Sequence, residues 1–433
     1  MTSLQDRSRQ FLWHPCTQMK NLAVVPPLAI ARGERAWLVD EAGNRYVDAI
    51  SSWWVNLFGH ANPRINAAII DQLSKIEHVI LAGCTHEPVV ALSERLSKLT
   101  GLGHAFYGSD GASATEIALK MSFHYWRNAG QTGKTQFVSL QNGYHGETLG
   151  ALSITDVALF KDQYAPLLRQ STQMPSPDFR LAEAGESEED HALRCARMLE
   201  SYLQHHSKTI AAFILEPLVQ GAAGMAMYHP VYLARARELC TEYQVHLIAD
   251  EIAVGFGRTG TMFACEQAGV KPDFMCLSKG ITGGYLPLSC VLTTDEIYAA
   301  FYADETARGF LHSHSYTGNP LACRAALAVL DIFEQDKVIE ANRVRAVRFS
   351  ALLEPVKRHH RVRHFRNLGM IWACDVAEAK PGFSVRAYQA ALKNGVLLRP
   401  IGNTVYFMPP YVIGEEEMMQ MAAAALSILD EIE

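Results

Sequence analysis

The sequence predicts an α/β protein: a large domain with a mainly parallel sheet flanked by helices, plus a small α+β domain built from both termini. Three observations predict it. Short apolar runs such as 245–249 and Ile210 to Leu215 have the composition of strands buried on both faces. They alternate with amphipathic helical patterns, as repeated βα units do. After about residue 330 the pattern changes to a helix, antiparallel-looking strands and a final helix. The expected division places 1–60 and 331–433 in the small domain and 61–330 in the large one.

Composition narrows the class. A chain of 433 residues can bury a sizeable core, and its formal charge of −6, with both signs evenly mixed, argues against a nucleic-acid or membrane-surface protein. The nine cysteines form no CxxC pair or framework spacing, which favours reduced thiols and a cytoplasmic location. No apolar run reaches the roughly 18 to 20 residues that a spanning helix needs.

Along the chain, WHPCTQM at Trp13 to Met19 precedes a hairpin whose turn is Asp40-Glu41-Ala42-Gly43-Asn44, and SSWW follows at Ser51 to Trp54. Adjacent tryptophans often serve packing alone, but these sit among loop residues, where function concentrates. Helices are expected from Asn62-Pro63 to about His78 and from Pro88 to Leu99. A strand at Ala105 to Tyr107 breaks at SDGAS before the helix Ala114 to Trp126, and free N–H groups at such a junction suit a phosphate as well as a plain cap. Strand Gln136 to Leu140 ends in NGYHGET, where flanking glycines let Tyr144 and His145 approach something closely. Residues 171–190 read as an exposed loop, followed by a helix to about His206.

Ile210 to Leu215 ends in Glu216, and helix Pro230 to Tyr243 leads to the strand that ends in Asp250 and Glu251. Ser289 to Leu292 is a further strand, and HSHSYTGNPLAC is a polar loop entering a helix near Pro320. The last predicted elements are strands Gly369 to Val376, Val396 to Arg399 and Thr404 to Met408, then helix Glu415 to Ile432.

Two motifs are set aside. GFGRTG matches GxGxxG, yet its glycines follow the strand by five residues and no helical pattern opens on them. The basic run Lys357 to Arg366 reads as a solvated helix end and edge strand.

Charge at the end of a buried strand is costly without a task, and ligands bind at the carboxyl ends of strands in open α/β sheets. Asp250 ends one apolar run, and Ser278-Lys279-Gly280 ends another, Phe274 to Leu277. Together with a phosphate cradle at Gly111 and Ala112 and an aromatic platform at Tyr144, an acid and an amine make up the parts that pyridoxal 5'-phosphate requires.

SDGASATEIALK, NGYHGET, ADEIAVGFGRTG, LSKG and HSHSYTGNPLAC resemble the class III, fold-type I aminotransferases over nearly the whole chain. WHPCTQM, SSWW, GYLPLS and GVLLRPIGNTVYFMPPY are similar to the biotin-biosynthetic branch of that family. The resemblance implies transamination of 8-amino-7-oxononanoate to 7,8-diaminononanoate with S-adenosylmethionine as amino donor. A lysine-dependent version, or another class III enzyme acting on ω-amino acids, stays open, because Cys16 stands where the branch that uses adenosylmethionine has tyrosine.

The resemblance also implies roles. Lys279 would be the imine-forming lysine and proton shuttle, Asp250 the partner of the pyridinium nitrogen and Tyr144 the group over the ring. Gly111 and Ala112 would bind the phosphate, with His314 and Ser315 reaching the phosphate of a neighbouring subunit, so the active unit would be a homodimer. Trp53, Trp54, Cys16 and Ser313 would line the substrate path, Arg399 would pair with the keto acid's carboxylate, and Arg258 and Glu147 would tune the donor side. No metal is implied.

Overall fold

The computed structural model describes residues 2–431. A seven-stranded sheet runs in the order His104–Gly108, Ser289–Thr293, Phe274–Leu277, His246–Asp250, Ile210–Leu215, Gln136–Leu140, Thr172–Met174. The strands from Phe274–Leu277 onward pair in parallel, and Ser289–Thr293 runs antiparallel to both neighbours. Every residue of Ile210–Leu215 and His246–Asp250 is buried, which is why these strands read as continuous apolar runs rather than alternating ones. Ile214, Ile248 and Phe274 pack with Ile117 and Ala118 of helix Gly111–Asn128. Leu215, Leu247 and Ala249 point the other way, into the core that holds Leu199, Tyr232 and Leu239.

Capping fixes where helices start beside this sheet. The Asp110 carboxylate accepts from Ser113 N at 2.8 Å, so Gly111–Asn128 begins three residues earlier than its periodicity predicts. Asn319 caps Pro320–Gln335 in the same way, with proline in the first turn.

The two termini meet in a second sheet. Ile30–Glu34, Trp37–Asp40 and Arg45–Asp48 form an antiparallel meander, and Val396–Leu397 joins its edge. Trp37 Nε1 also donates to Glu417 Oε1 at 2.9 Å. A three-stranded antiparallel sheet of Val362–Leu368, Ile371–Val376 and Thr404–Phe407 packs nearby. Among the described residues no helix is long and apolar enough to cross a membrane.

Several elements differ from expectation for identifiable reasons. The Val396 strand is two residues long and pairs parallel to Arg45–Asp48, not antiparallel, which leaves Arg399 beyond the sheet. The helix expected to reach His78 ends at Leu73, where the Ser74 hydroxyl donates back to Asp71 O. Residues 171–190 are not simply an exposed loop: Thr172–Met174 adds a parallel edge strand, and Ser176 and Asp178 are buried behind it. The basic run does end a helix and form an edge strand, but Arg366 is not solvated. An irregular register between Arg363 and Arg366 turns that side chain inward, where it donates to Gly224 O, Met225 O and Asp375. The final helix is Glu415–Glu431, and Ile432 lies outside the described residues.

The SSWW segment has the least expected backbone. Ser51, Ser52, Trp53 and Trp54 all have positive φ, from 46° to 75°, so the turn is left-handed at four successive residues that are not glycine. Each such residue costs about 1–2 kcal/mol. Buried Asp48 offsets this by accepting from Ser52 N at 2.8 Å, Ser52 Oγ at 2.7 Å and His60 Nε2 at 3.0 Å. Ser51 Oγ donates to Met408 O at 2.8 Å, tying the turn to the C-terminal segment. Replacing Asp48 by alanine is expected to lower unfolding free energy by about 2 kcal/mol, because three partly exposed donors lose a buried acceptor; equilibrium denaturation of the cofactor-loaded enzyme checks this.

Candidate active site

Four strand-end segments converge. Lys279 follows Phe274–Leu277 and has a φ of 44°, a left-handed conformation that a lysine adopts only when its surroundings impose it. Its Nζ lies 4.7 Å from the centroid of the Trp54 ring. Desolvation lowers its pKa, against the opposing pull of Asp250 and Glu216. Asp250 ends the neighbouring parallel strand, opposite Cys276 in register. Its Oδ2 accepts from His145 Nδ1 at 2.7 Å and its Oδ1 from Ile252 N at 3.1 Å.

The NGYHGET segment closes one side. Tyr144 is half-buried, and its hydroxyl donates to Glu147 Oε1 at 2.9 Å. Burial raises the phenol pKa, and Glu147 and Cys16 raise it further. Glu216 accepts from Tyr144 N at 3.0 Å and from Gly221 N at 2.9 Å, and burial pushes its carboxyl up to about 7. A Cβ on Gly221 would stand 3.0 Å from the Trp54 ring, so that ring lies flush against the backbone.

Gly111 and Ala112 occupy the first turn of their helix, where N–H groups have no intrahelical acceptor. A Cβ on Gly111 would sit 3.1 Å from Ile252, two residues past Asp250. Gly146, with φ 125°, approaches Ala112 so closely that any side chain there would collide with it. The small residues at 111, 112 and 146 thus let three loops meet.

Arg399, Trp53 and Cys16 form the outer part. The Arg399 guanidinium carbon lies 4.3 Å over the Trp53 ring, and Nη2 donates to Cys16 O at 3.1 Å. Arg399 and Cys16 are exposed, and Trp53 keeps 39 % exposure against 5 % for Trp54. Trp54 Nε1 donates to Tyr406 Oη at 3.1 Å. The tryptophan pair therefore spans from an inner lysine to an outer arginine.

Other candidate residues lie apart from this group. Arg258 is 1 % exposed and gives its guanidinium to the carbonyls of Pro409, Asn56 and Met408, with its face on Tyr411. These bonds tie the side chain to the backbone of the C-terminal segment and of Asn56, and Nε keeps no partner among the described residues. Ser313, His314 and Ser315 sit on a loop that packs on the middle of helix Gly111–Asn128: His314 meets His312, and His312 meets Lys120. No described contact joins them to Lys279 or Asp250 within one chain.

Two further residues at the site have no role assigned from sequence. Glu216 carries the same signal as Asp250, a carboxylate ending an apolar strand. His145 was noted beside Tyr144, but nothing local indicates that its ring reaches Asp250, 105 positions away. Its Nε2 is buried without a partner among the described residues.

Comparisons accord with this geometry. The class-III aminotransferase profile matches residues 19–429. An adenosylmethionine-8-amino-7-oxononanoate aminotransferase of Helicobacter pylori is 47 % identical over 431 residues, covering 98 % of this chain and 97 % of that protein. The crystal structure of the enzyme of that name from Methanocaldococcus jannaschii superposes with a TM-score of 0.93 at 37 % identity, covering 99 % of both chains. The ω-transaminase of Pseudomonas jessenii, solved in complex with PMP, gives 0.94 at 29 % identity, covering 99 % of this chain and 98 % of that one. The chain belongs to the class-III aminotransferases, enzymes that work with pyridoxal 5'-phosphate.

Proposed function

We propose that the chain transfers an amino group to 8-amino-7-oxononanoate, forming 7,8-diaminononanoate in biotin biosynthesis, with S-adenosylmethionine as donor. The observation that carries this reading is the apolar tryptophan path between the Lys279 amine and the Arg399 guanidinium. It suits a keto acid whose carboxylate is separated from its reacting carbon by a long alkyl chain. The curated relatives bearing the adenosylmethionine-8-amino-7-oxononanoate name, at 35–47 % identity, support the same substrates.

The residues present fit pyridoxal 5'-phosphate. Lys279 Nζ has no hydrogen bond or ion pair among the described residues, Asp250 keeps acceptor capacity beyond its two bonds, and the 111–112 turn offers unpaired N–H groups. When bound, the cofactor supplies an aldehyde carbon that bonds amines and a protonated ring that accepts electrons. Lys279 takes and returns the proton at the substrate's Cα, aided by the desolvation that lowers its pKa. Asp250, oriented by His145, holds the proton on the ring nitrogen. Tyr144 covers the ring, and Gly111 and Ala112 hold the phosphate.

His314 and Ser315 serve the phosphate of a neighbouring subunit in a homodimer, with Ser313 beside the substrate path. The small lobe comprises 1–60 and 331–433, a division supported by the pairing of Val396 with Val47, and the large lobe is 61–330. Cytoplasmic location accords with nine free cysteines.

A second reading, lysine as donor, is favoured by one feature: Cys16 brings a small thiol to the mouth of the site beside Tyr144 and Arg399. The test is to mix the cofactor-loaded enzyme separately with S-adenosylmethionine, lysine and ω-amino acids. Loss of the aldehyde-form absorbance is expected with S-adenosylmethionine; loss with lysine alone would assign the second reading.

Lys279→Ala is expected to reduce turnover by at least about 10²–10⁴-fold, measured under saturating substrates. A variant that keeps the turnover of the unsubstituted enzyme would sink the assignment. Arg399→Ala is expected to raise the keto-acid KM about fivefold, equivalent to about 1 kcal/mol for an exposed ion pair, and to leave kcat near its original value. An unchanged KM would reject carboxylate recognition by Arg399.

A further inference from the structure

Glu216 follows strand Ile210–Leu215 and is 4 % exposed. Its two carboxylate oxygens serve different loops. Oε1 accepts from Tyr144 N at 3.0 Å and Oε2 from Gly221 N at 2.9 Å, and neither N–H has another acceptor among the described residues. The backbone that carries the side chain is itself held, because the Glu216 carbonyl accepts from the Tyr228 hydroxyl at 2.6 Å.

A buried carboxylate is costly unless hydrogen bonds offset its loss of water, and these two bonds act on opposite sides of the site. On one side Tyr144 is fixed at both ends: Glu216 holds its backbone N–H, and Glu147 Oε1 accepts from its hydroxyl at 2.9 Å. On the other side the Gly221 backbone lies against the Trp54 ring, where a Cβ would stand 3.0 Å from Cζ3 and Cη2. Trp54 in turn faces Lys279 Nζ, 4.7 Å from the ring centroid. His145, Asp250 and Lys279, from three other segments, lie near enough to Glu216 for their charges to act on one another.

We propose that Glu216 is a positioning residue for amino transfer, which sets the Tyr144 ring in place relative to the Trp54 wall. The proposal rests on the reading of Tyr144 as the cover of the cofactor ring. A carboxylate suits the task because it presents two acceptors to two loops. A glutamine has one acceptor oxygen, and its NH2 group would meet either the Tyr144 or the Gly221 N–H, donor against donor. Glu216→Gln therefore keeps the volume of the side chain and releases one of the two loops.

The test uses enzyme loaded with pyridoxal 5'-phosphate and compares Glu216→Gln in two backgrounds, with Tyr144 present and with Tyr144→Ala, which removes the ring that Glu216 places. The readouts are circular dichroism in the cofactor's absorption band, which reports the asymmetry of the ring's surroundings, and kcat/KM for the keto acid. With Tyr144 present, Glu216→Gln is expected to change the dichroic band and to lower kcat/KM about tenfold. In the Tyr144→Ala background it is expected to change neither further, since residues that act through one another are not additive. Glu216→Asp, which keeps the charge but is too short to reach both loops, is expected to give the same pattern, so the outcome does not hang on one variant folding. Equal effects in both backgrounds would mark a general structural role and overturn the proposal, as would a dichroic band and kcat/KM left unchanged. The dichroic readout needs no substrate, whereas failure of the amino-transfer reading would show as absence of turnover in the unsubstituted enzyme.

Discussion

The left-handed turn at Ser51–Trp54 holds the candidate site together, because both of its tryptophans project from it and each touches one of the two cationic groups. Trp54 faces Lys279 and Trp53 faces Arg399. Four successive residues in that conformation do not persist unaided, and the surroundings supply the compensation. Asp48 satisfies Ser52 and His60, Met408 O takes the Ser51 hydroxyl, and Tyr406 takes the Trp54 indole N–H. Asp48 belongs to the N-terminal meander, while Tyr406 and Met408 come from the C-terminal region. The spacing between lysine and arginine therefore depends on the two ends of the chain meeting.

Electrostatics at the inner end follow from the sheet. Parallel strands deliver Glu216, Asp250 and Lys279 to one edge, where water is scarce. Glu216 and Lys279 both shift toward their neutral forms, Glu216 upward and Lys279 downward, because burial penalises charge. Asp250 is instead provided with an imidazole N–H and a backbone N–H. One edge thus holds a hydrogen-bonded acid, a carboxyl pushed up to about 7 and an amine eased toward its basic form, an arrangement suited to proton transfer at a carbon.

Much of this was legible from residues alone. Ile210–Leu215 and Phe274–Leu277 have the boundaries their apolar runs predicted, since strands buried on both faces admit no polar residue until they reach the edge. The charged residues ending those runs marked the edge itself. Long-range choices were not legible. Arg258 and Arg366 are both buried and donate to backbone carbonyls of distant segments, which no local pattern encodes. His145 acquires its partner only when the loop after Gln136–Leu140 reaches past the end of Ile210–Leu215 to the strand that ends in Asp250.

The sequence by itself determined the class of layers, the strand ends that bear chemistry, and through its motifs the family and cofactor, because burial and turn chemistry act on neighbouring residues. Tertiary structure alone decided the handedness of the Ser51–Trp54 turn, the pairing of His145 with Asp250, the interior burial of Arg258 and the stacking of Arg399 on Trp53. Each of those requires partners from distant segments. Their energies exist only once the chain has closed on itself, so a backbone conformation unfavourable in isolation becomes the one that is kept.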